Sequence, residues 1–299
     1  MERPNELTNT VAISITRDCV EQLSSAAKIY EKVQVRLFLG HGAITSFLCV
    51  KVNDEICIPW ESDHLFRLRN SLQHIFDKII LPETLDKLKV GLRLALKIFN
   101  DQKIDFEKSA FTVLANYIPD LSEVVLIIRK REIESEKEIF LTRFENERWS
   151  QFPCQLKIGF YSQEFSKLEF LKKKLPHFSP EVYFASKQNG KSVIDEGSTN
   201  NIYLFNGKNF KTPPLRSGVL KGIAREKVIQ YFIKNNISYV EEEIELEELI
   251  FADSIWLSNA VRGFRKVSRL DEKDLTSVKS VFDGIWKEIL IKELLNRYE

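Results

Sequence analysis

Cysteine is scarce in this chain, and nothing in its spacing pairs it. The four cysteines, Cys19, Cys49, Cys57 and Cys154, form no C-x-x-C pair and no metal-type spacing with the four histidines. They read as reduced structural thiols, which excludes a disulfide framework and a metal centre visible in the sequence, and points to a cytoplasmic address. Net charge is nearly absent as well: 44 Lys plus Arg stand against 43 Asp plus Glu. No global field then draws the chain to nucleic acid or to an anionic membrane, so small molecules or another protein are the expected partners. Residues 1–6 lack the basic and apolar regions of a leader, and apolar runs such as Val124–Ile128 are far too short to span a bilayer. A soluble protein without a membrane partner is expected.

What is present is apolar mass. At 299 residues, 43% hydrophobic and 11% aromatic, the chain can bury one large core or two ordinary ones, and two domains are expected. Residues 1–33 read as an N-terminal extension, in which Val20, Leu23, Ala27 and Tyr30 predict a helix over Asp18–Val33. From Gln34 the period turns to two. Strand runs at 35–40 and 45–52 join through Gly40-His41-Gly42, and Asn53-Asp54 marks a turn before Ile56–Trp60, a β-meander. Asp63 caps a helical pattern through Leu72, and Leu85–Asn100 reads as a second helix. Strands are expected at Phe111–Tyr117, Val124–Arg129 and Ile139–Phe144, with the mixed-sign run Lys130–Lys137 as a solvated hairpin tip. These elements make a small α/β domain over 34–144, followed by a linker over 145–152.

Residues 153–299 read as a larger domain. Cys154–Gln163 is a strand and Phe165–Leu175 a helix, and Asn189-Gly190 turns a hairpin between Tyr183–Ser186 and Val193–Ile194. The most informative stretch follows: Asp195-Glu196-Gly197-Ser198-Thr199-Asn200-Asn201-Ile202-Tyr203-Leu204-Phe205, then Lys211-Thr212-Pro213-Pro214-Leu215, then Gly218-Val219-Leu220-Lys221-Gly222-Ile223-Ala224-Arg225. It reads as a carboxylate, an apolar strand, a Pro-Pro turn and a Gly-spaced loop opening a helix over Lys221–Asn235. That order suits a phosphate-bearing cofactor: backbone N–H groups at a helix N-terminus receive the phosphate while a separate carboxylate meets a ring nitrogen. Ser238–Glu242 reads as a strand, Leu246–Ile250 as a short helix and Asp274–Arg297 as a closing helix.

The ordered set Glu196, Asn201-Ile202, Thr212-Pro213 and Gly222-Ile223-Ala224-Arg225 resembles the class IV family of pyridoxal-phosphate enzymes. That family includes branched-chain and D-amino-acid aminotransferases and 4-amino-4-deoxychorismate lyase. His64-Leu65-Phe66-Arg67-Leu68 is similar to the family's His-x-x-Arg-Leu helix, and Ala252-Asp253 to the segment that leads into a strand bordering its cofactor pocket. The resemblance covers roughly residues 35–290. It implies an α/β (α+β) two-domain protein of fold type IV, a barrel-like sheet in the larger domain, a cofactor site between the domains, and a homodimer. It also implies pyridoxal 5′-phosphate as cofactor and an amino or keto acid, or an amino-chorismate, as ligand. In that frame Glu196 holds the ring nitrogen, and Gly222, Ile223 and Ala224 hold the phosphate. Arg67 adds charge to the phosphate, and Asn259 and Ala260 supply further contacts. His64 is a structural hydrogen-bonding residue, and His41 stands where the family has Asp between two glycines. Ser258-Asn259-Ala260 and Thr45-Ser46 look closer to the lyase than to the aminotransferases.

The family holds its cofactor covalently on a lysine that also moves the proton at the substrate's α-carbon. Its local pattern, Lys-x-x-Asn/Ser-Arg/Tyr-Leu, falls here on Gln163-Glu164-Phe165-Ser166-Lys167-Leu168. Gln163 therefore stands in the lysine's place, 196 − 163 = 33 residues before Glu196. An amide can neither attack an aldehyde nor act as a base near neutral pH, so on this frame transamination is compromised. The alternative reading is a non-catalytic relative that keeps the fold and phosphate pocket for ligand binding or protein interaction. Lys157 is the fallback nucleophile. It shares a strand face with Gln163 if the strand is regular, but lies about 20 Å away along it. Lys167 is recommended only by proximity.

Overall fold

The computed structural model describes residues 9–16, 18–23, 42–76, 83–118, 123–133, 137–144, 156–157, 162–216, 218–275 and 280–296. The chain divides into two compact units, the first made of residues 1–133 and 155–160, the second of 134–154 and 161–299.

The first unit contains β1 (Thr10–Ile15), β2 (Val20–Gln22), β3 (Ala43–Leu48), β4 (Val50–Val52), β5 (Glu55–Cys57), α1 (Glu61–Phe76), α2 (Glu83–Asp101), β6 (Ser109–Ile118) and β7 (Glu123–Glu132). Its main sheet runs β2-β1-β7-β6-β3, antiparallel throughout. Period-two alternation sends Val11, Ile13, Ile15, Leu126, Ile128, Phe111, Val113 and Phe47 to one face. Against them pack Leu65, Leu68 and Leu72 of α1 and Leu88, Leu92, Leu96 and Phe99 of α2, each set repeating at helical spacing. Asn53 and Asp54 both have positive φ, 50° and 64°, and close the β4–β5 hairpin as a two-residue turn.

Two expectations for this unit are corrected. Within the expected N-terminal extension, Thr10–Ile15 is a strand of the first unit's main sheet, because β1 pairs along six positions with β7 and buries Val11, Ile13 and Ile15 in the core. The helix predicted from Asp18 begins instead as β2, since a β-branched Val20 beside Ile15 completes the edge of the sheet. Residues 24–33, the expected strand at 35–40 and His41 lie outside the described residues. Helix α1 starts at Glu61 rather than after Asp63; the N–H groups of Asp63 and His64 both donate to the Trp60 carbonyl.

The second unit contains β8 (Glu138–Arg143), α3 (Ser162–Lys174), β9 (Phe178–Gln188), β10 (Lys191–Gly197), β11 (Asn201–Phe205), β12 (Phe210–Thr212), α4 (Ile223–Lys234), β13 (Tyr239–Glu241), α5 (Leu246–Phe251), β14 (Ser254–Asn259), β15 (Gly263–Lys266), β16 (Arg269–Leu270), β17 (Lys273–Asp274) and α6 (Ile285–Leu295). Where a barrel-like sheet is expected, the ladders resolve into two five-stranded sheets, β10-β9-β8-β16-β17 and β13-β12-β11-β14-β15. An aromatic cluster backs the second: the Phe210 ring stacks on Phe232 at 4.6 Å, and Trp256 on Phe264 at 4.8 Å.

The expected boundary at residue 144 moves to 133/134, because β8 pairs in parallel with β9 inside the second unit. The linker 145–152 lies outside the described residues. The strand expected to end at Gln163 gives way to α3, which starts at Ser162. The closing helix starts at Ile285 and not at Asp274: Gly284 precedes it with φ 95°, and Lys273–Asp274 pairs with β16.

Candidate functional site

The core of the site is the junction of β10, β11 and the loop opening α4. Asp195 and Glu196 are adjacent on β10, where its pairing with β9 shifts register between Ile194 and Gly197, and both are buried. Asp195 accepts from Ser186 Oγ at 2.9 Å and pairs with Arg216 Nη1 at 2.7 Å. Glu196 is 4% exposed, and its Oε2 accepts the Leu220 N–H at 2.7 Å and Asn201 Nδ2 at 3.3 Å. Asn201 Nδ2 also donates to the Leu220 carbonyl at 2.8 Å. Two neighbouring carboxylates thus pin both ends of the segment from Arg216 to Leu220.

Helix α4 leaves that loop at Gly222, whose φ of −67° and ψ of 137° are ordinary extended values, with no side chain capping the helix. Ile223 and Ala224 are buried, and their N–H groups donate to no acceptor among the described residues. A buried helix end with open donors is an anion site, because the aligned peptide dipoles add positive potential to the N–H groups. Arg225 braces this start from behind: its guanidinium donates to the Pro213 carbonyl at 3.0 Å and to Glu241 at 2.7 Å. Thr212 Oγ1 donates to the Ile202 carbonyl at 2.8 Å, which fixes the Thr-Pro-Pro turn on β11.

Asn259 and Ala260 form the turn after β14. Asn259 Oδ1 accepts the N–H groups of Val261 and Arg262, while its Nδ2 donates to Asn200 Oδ1 at 2.7 Å. Asn200 passes the contact on to Glu181 at 2.8 Å, a carboxyl that burial pushes up and the nearby Arg265 and Arg262 pull back down. The Asn200 relay and the Arg216–Asp195 pair were not foreseen. The repeated Asn200-Asn201 was the only sequence signal for the first, and nothing local marks the second.

Of the other candidate residues, Arg67, His64 and Lys157 belong to the first unit, and Gln163 and Lys167 to the second. Arg67 lies on α1, and Ser71 follows one turn later on the same helix face. The backbone of Lys157 is fixed at both ends: its N–H donates to Ser71 Oγ at 3.2 Å, and its carbonyl accepts the Ile44 N–H at 2.9 Å, on the outer edge of β3. His64 bonds Thr45 through Nδ1 at 2.7 Å, the structural role expected of it. Gln163 lies in the first turn of α3, and Lys167 Nζ donates to the Arg143 carbonyl at 2.6 Å and lies over the Phe144 ring. No helix among the described residues is long and apolar enough to cross a membrane.

The family model for amino-transferase class IV matches residues 49–270, and the chain belongs to that family. Among curated relatives it is similar to D-alanine aminotransferase of Bacillus licheniformis, 23% identical over 163 residues, which is 54% of each chain. Its matches to curated relatives span between 20% and 54% of those proteins' own length. Two solved structures share the fold across almost the whole chain. The branched-chain aminotransferase of Thermoproteus uzoniensis with norvaline has a TM-score of 0.72 at 17% identity, covering 95% of this chain and 94% of its own. An aminotransferase of Brucella abortus bound to pyridoxal 5′-phosphate has a TM-score of 0.67 at 15% identity, covering 96% and 99%. The family's cofactor is pyridoxal 5′-phosphate, and this chain's donor set fits it. The uncapped start of α4 suits the phosphate and the buried Glu196 carboxylate a ring N–H. Ser198 Oγ, buried two residues beyond Glu196, has no partner among the described residues and can meet a bound group.

Proposed function

We propose that this protein is a pyridoxal 5′-phosphate-dependent enzyme acting on a small amino or keto acid, with Lys157 as its nucleophile. One observation carries the assignment of the lysine: both backbone groups of Lys157 are fixed, one of them by Ser71, a single helical turn from Arg67. Lys167 is a poorer nucleophile, because its ammonium is already committed to the Arg143 carbonyl. Gln163 lies in the first turn of α3, and its amide can neither attack an aldehyde nor act as a base near neutral pH.

When bound, the cofactor supplies an electron sink for the bonds at the substrate's α-carbon. Glu196 holds the proton on the ring nitrogen, because an ionised carboxylate in a buried setting favours a cationic partner. The N–H groups of Ile223 and Ala224 bind the phosphate, and Arg67 adds a permanent positive charge. Lys157 would hold the cofactor through Nζ and would carry the proton of the substrate's α-carbon. Asn259 acts by shaping its turn, since both ends of its amide are already engaged.

Borohydride reduction of the protein mixed with pyridoxal 5′-phosphate, followed by peptide mass mapping, tests this reading. A reduced adduct on Lys157 that disappears in Lys157→Ala is expected. An adduct on another lysine would overturn the assignment to Lys157, and no adduct on any lysine would restore the non-catalytic alternative.

A further inference from the structure

Asn201 lies in the middle of the motif, yet its side chain turns away from solvent and does two jobs at once. It is 5% exposed, and its single amide nitrogen donates both to the Glu196 carboxylate at 3.3 Å and to the Leu220 carbonyl at 2.8 Å. The Leu220 N–H returns to the same Glu196 oxygen at 2.7 Å, so acid, amide and loop backbone close into a ring of hydrogen bonds. The amide oxygen occupies the place a side chain at residue 222 would need: a Cβ there would stand 2.1 Å from Asn201 Oδ1. Glycine at 222 is therefore required by Asn201 rather than by backbone conformation, since φ −67° suits any residue. Thr212 Oγ1 and the Arg225 guanidinium hold the far side of the same loop, and Asp195 with Arg216 holds its beginning.

We infer that Asn201 is a positioning residue that locks the ring-nitrogen acid to the phosphate-binding helix start as one rigid frame. The inference rests on the cofactor reading above. A carboxylate with one oxygen fixed by two donors can turn only slightly, so its orientation toward a ring N–H is set in advance. The distance from that acid to the N–H groups of Ile223 and Ala224 is fixed by the same amide. A packing role alone would need only a side chain of this size; the frame needs the N–H donor.

Pyridoxine 5′-phosphate is the probe, because it has no aldehyde and so reports the frame whichever lysine reacts. Its dissociation constant and the pH at which the bound ring loses its proton, read from ultraviolet absorbance, are measured for the full-length wild type, Asn201→Ala and the similarly sized Asn201→Leu. Inorganic phosphate binding is measured in parallel. Loss of the donor should weaken the probe about tenfold and lower the ring's titration by about one pH unit. Phosphate affinity should change less than about threefold, because the helix start survives. Leucine has nearly the size of asparagine with neither donor nor charge, so it should behave like the alanine variant, and it keeps the test alive if alanine prevents folding. Wild-type probe affinity and ring titration in Asn201→Leu would overturn the inference, as would equal losses for probe and phosphate. Phosphate binding without any probe binding by the wild type would instead overturn the cofactor reading, and the inference with it.

Discussion

Gly222→Ala gives the sharpest energetic test of the loop. Backbone strain contributes nothing, because φ −67° and ψ 137° are open to alanine. Alanine should even gain about 0.5 kcal/mol by restricting the unfolded chain. Against that stands a contact of 2.1 Å with Asn201 Oδ1, with Asn201 Cγ at 3.3 Å and Arg225 Cβ at 3.4 Å. Van der Waals contact needs about 3.2 Å, so the amide must withdraw by roughly 1 Å, enough to break bonds of this kind. Losing the donor to Leu220 costs about 1 kcal/mol, and losing the charge-assisted one to Glu196 about 2 kcal/mol. Net destabilisation is therefore about 2 to 3 kcal/mol, read as a lower urea midpoint at constant slope. The route through Asn201 is itself testable. In an Asn201→Ala background the clash has no object, so Gly222→Ala should cost about 0 kcal/mol there. An equal cost in both backgrounds would refute the steric argument.

Gly263 is constrained in both ways at once, by φ of 75° and by a Cβ position 2.0 Å from the Trp286 ring. Gly263→Ala should cost about 3 kcal/mol and shift the tryptophan fluorescence as α6 is displaced, measured by denaturation followed at both fluorescence and circular dichroism. Tyr183 and Tyr231 are both held up to about 12, Tyr183 by burial and Tyr231 by burial and then by Glu288. Both phenols stay protonated in the folded state, so their contribution to stability is complete below the unfolded value of about 10 and is lost as pH rises toward about 12. Ultraviolet titration of the folded protein should show Tyr183 and Tyr231 ionising late, and ionisation of every tyrosine near 10 would contradict the burial argument. Lys167→Met should leave the reduced adduct on Lys157 intact, checked by the same peptide map.

The helices of the first unit were legible because Leu65, Leu68 and Leu72 in α1, and Leu88, Leu92 and Leu96 in α2, repeat at the helical period. The Asn189-Gly190 turn was legible because its φ values, 50° and 82°, are those that this dipeptide tolerates. β1 was not. Thr10–Ile15 is a short β-branched run whose meaning depends on β7, a strand far away in the chain, and no local period records such a partner. The same limit hid the parallel pairing of β8 with β9 and therefore the boundary between the units. At the site, the order of Glu196, Thr212-Pro213 and Gly222-Ile223 was readable as a pattern. The anchoring of Lys157 was not, because its backbone is held by Ser71 and Ile44, residues distant in sequence.

The first unit is discontinuous. Its chain leaves at Ile133, contributes β8 to the other unit, and returns with residues 155–160, where the Lys157 carbonyl accepts the Ile44 N–H of β3. Any contiguous fragment that contains all of it also carries residues 134–154 of the other unit. A fragment ending near Ile133 would leave the Ile44 N–H without its backbone partner and offer the β3 edge to other copies, a recipe for aggregation. During synthesis the first unit is complete only after residues 134–154 of the second have emerged ahead of its returning segment. Engineering that swaps one unit between relatives must therefore carry the short returning segment with it, or it will separate Lys157 from the strand that holds it in place.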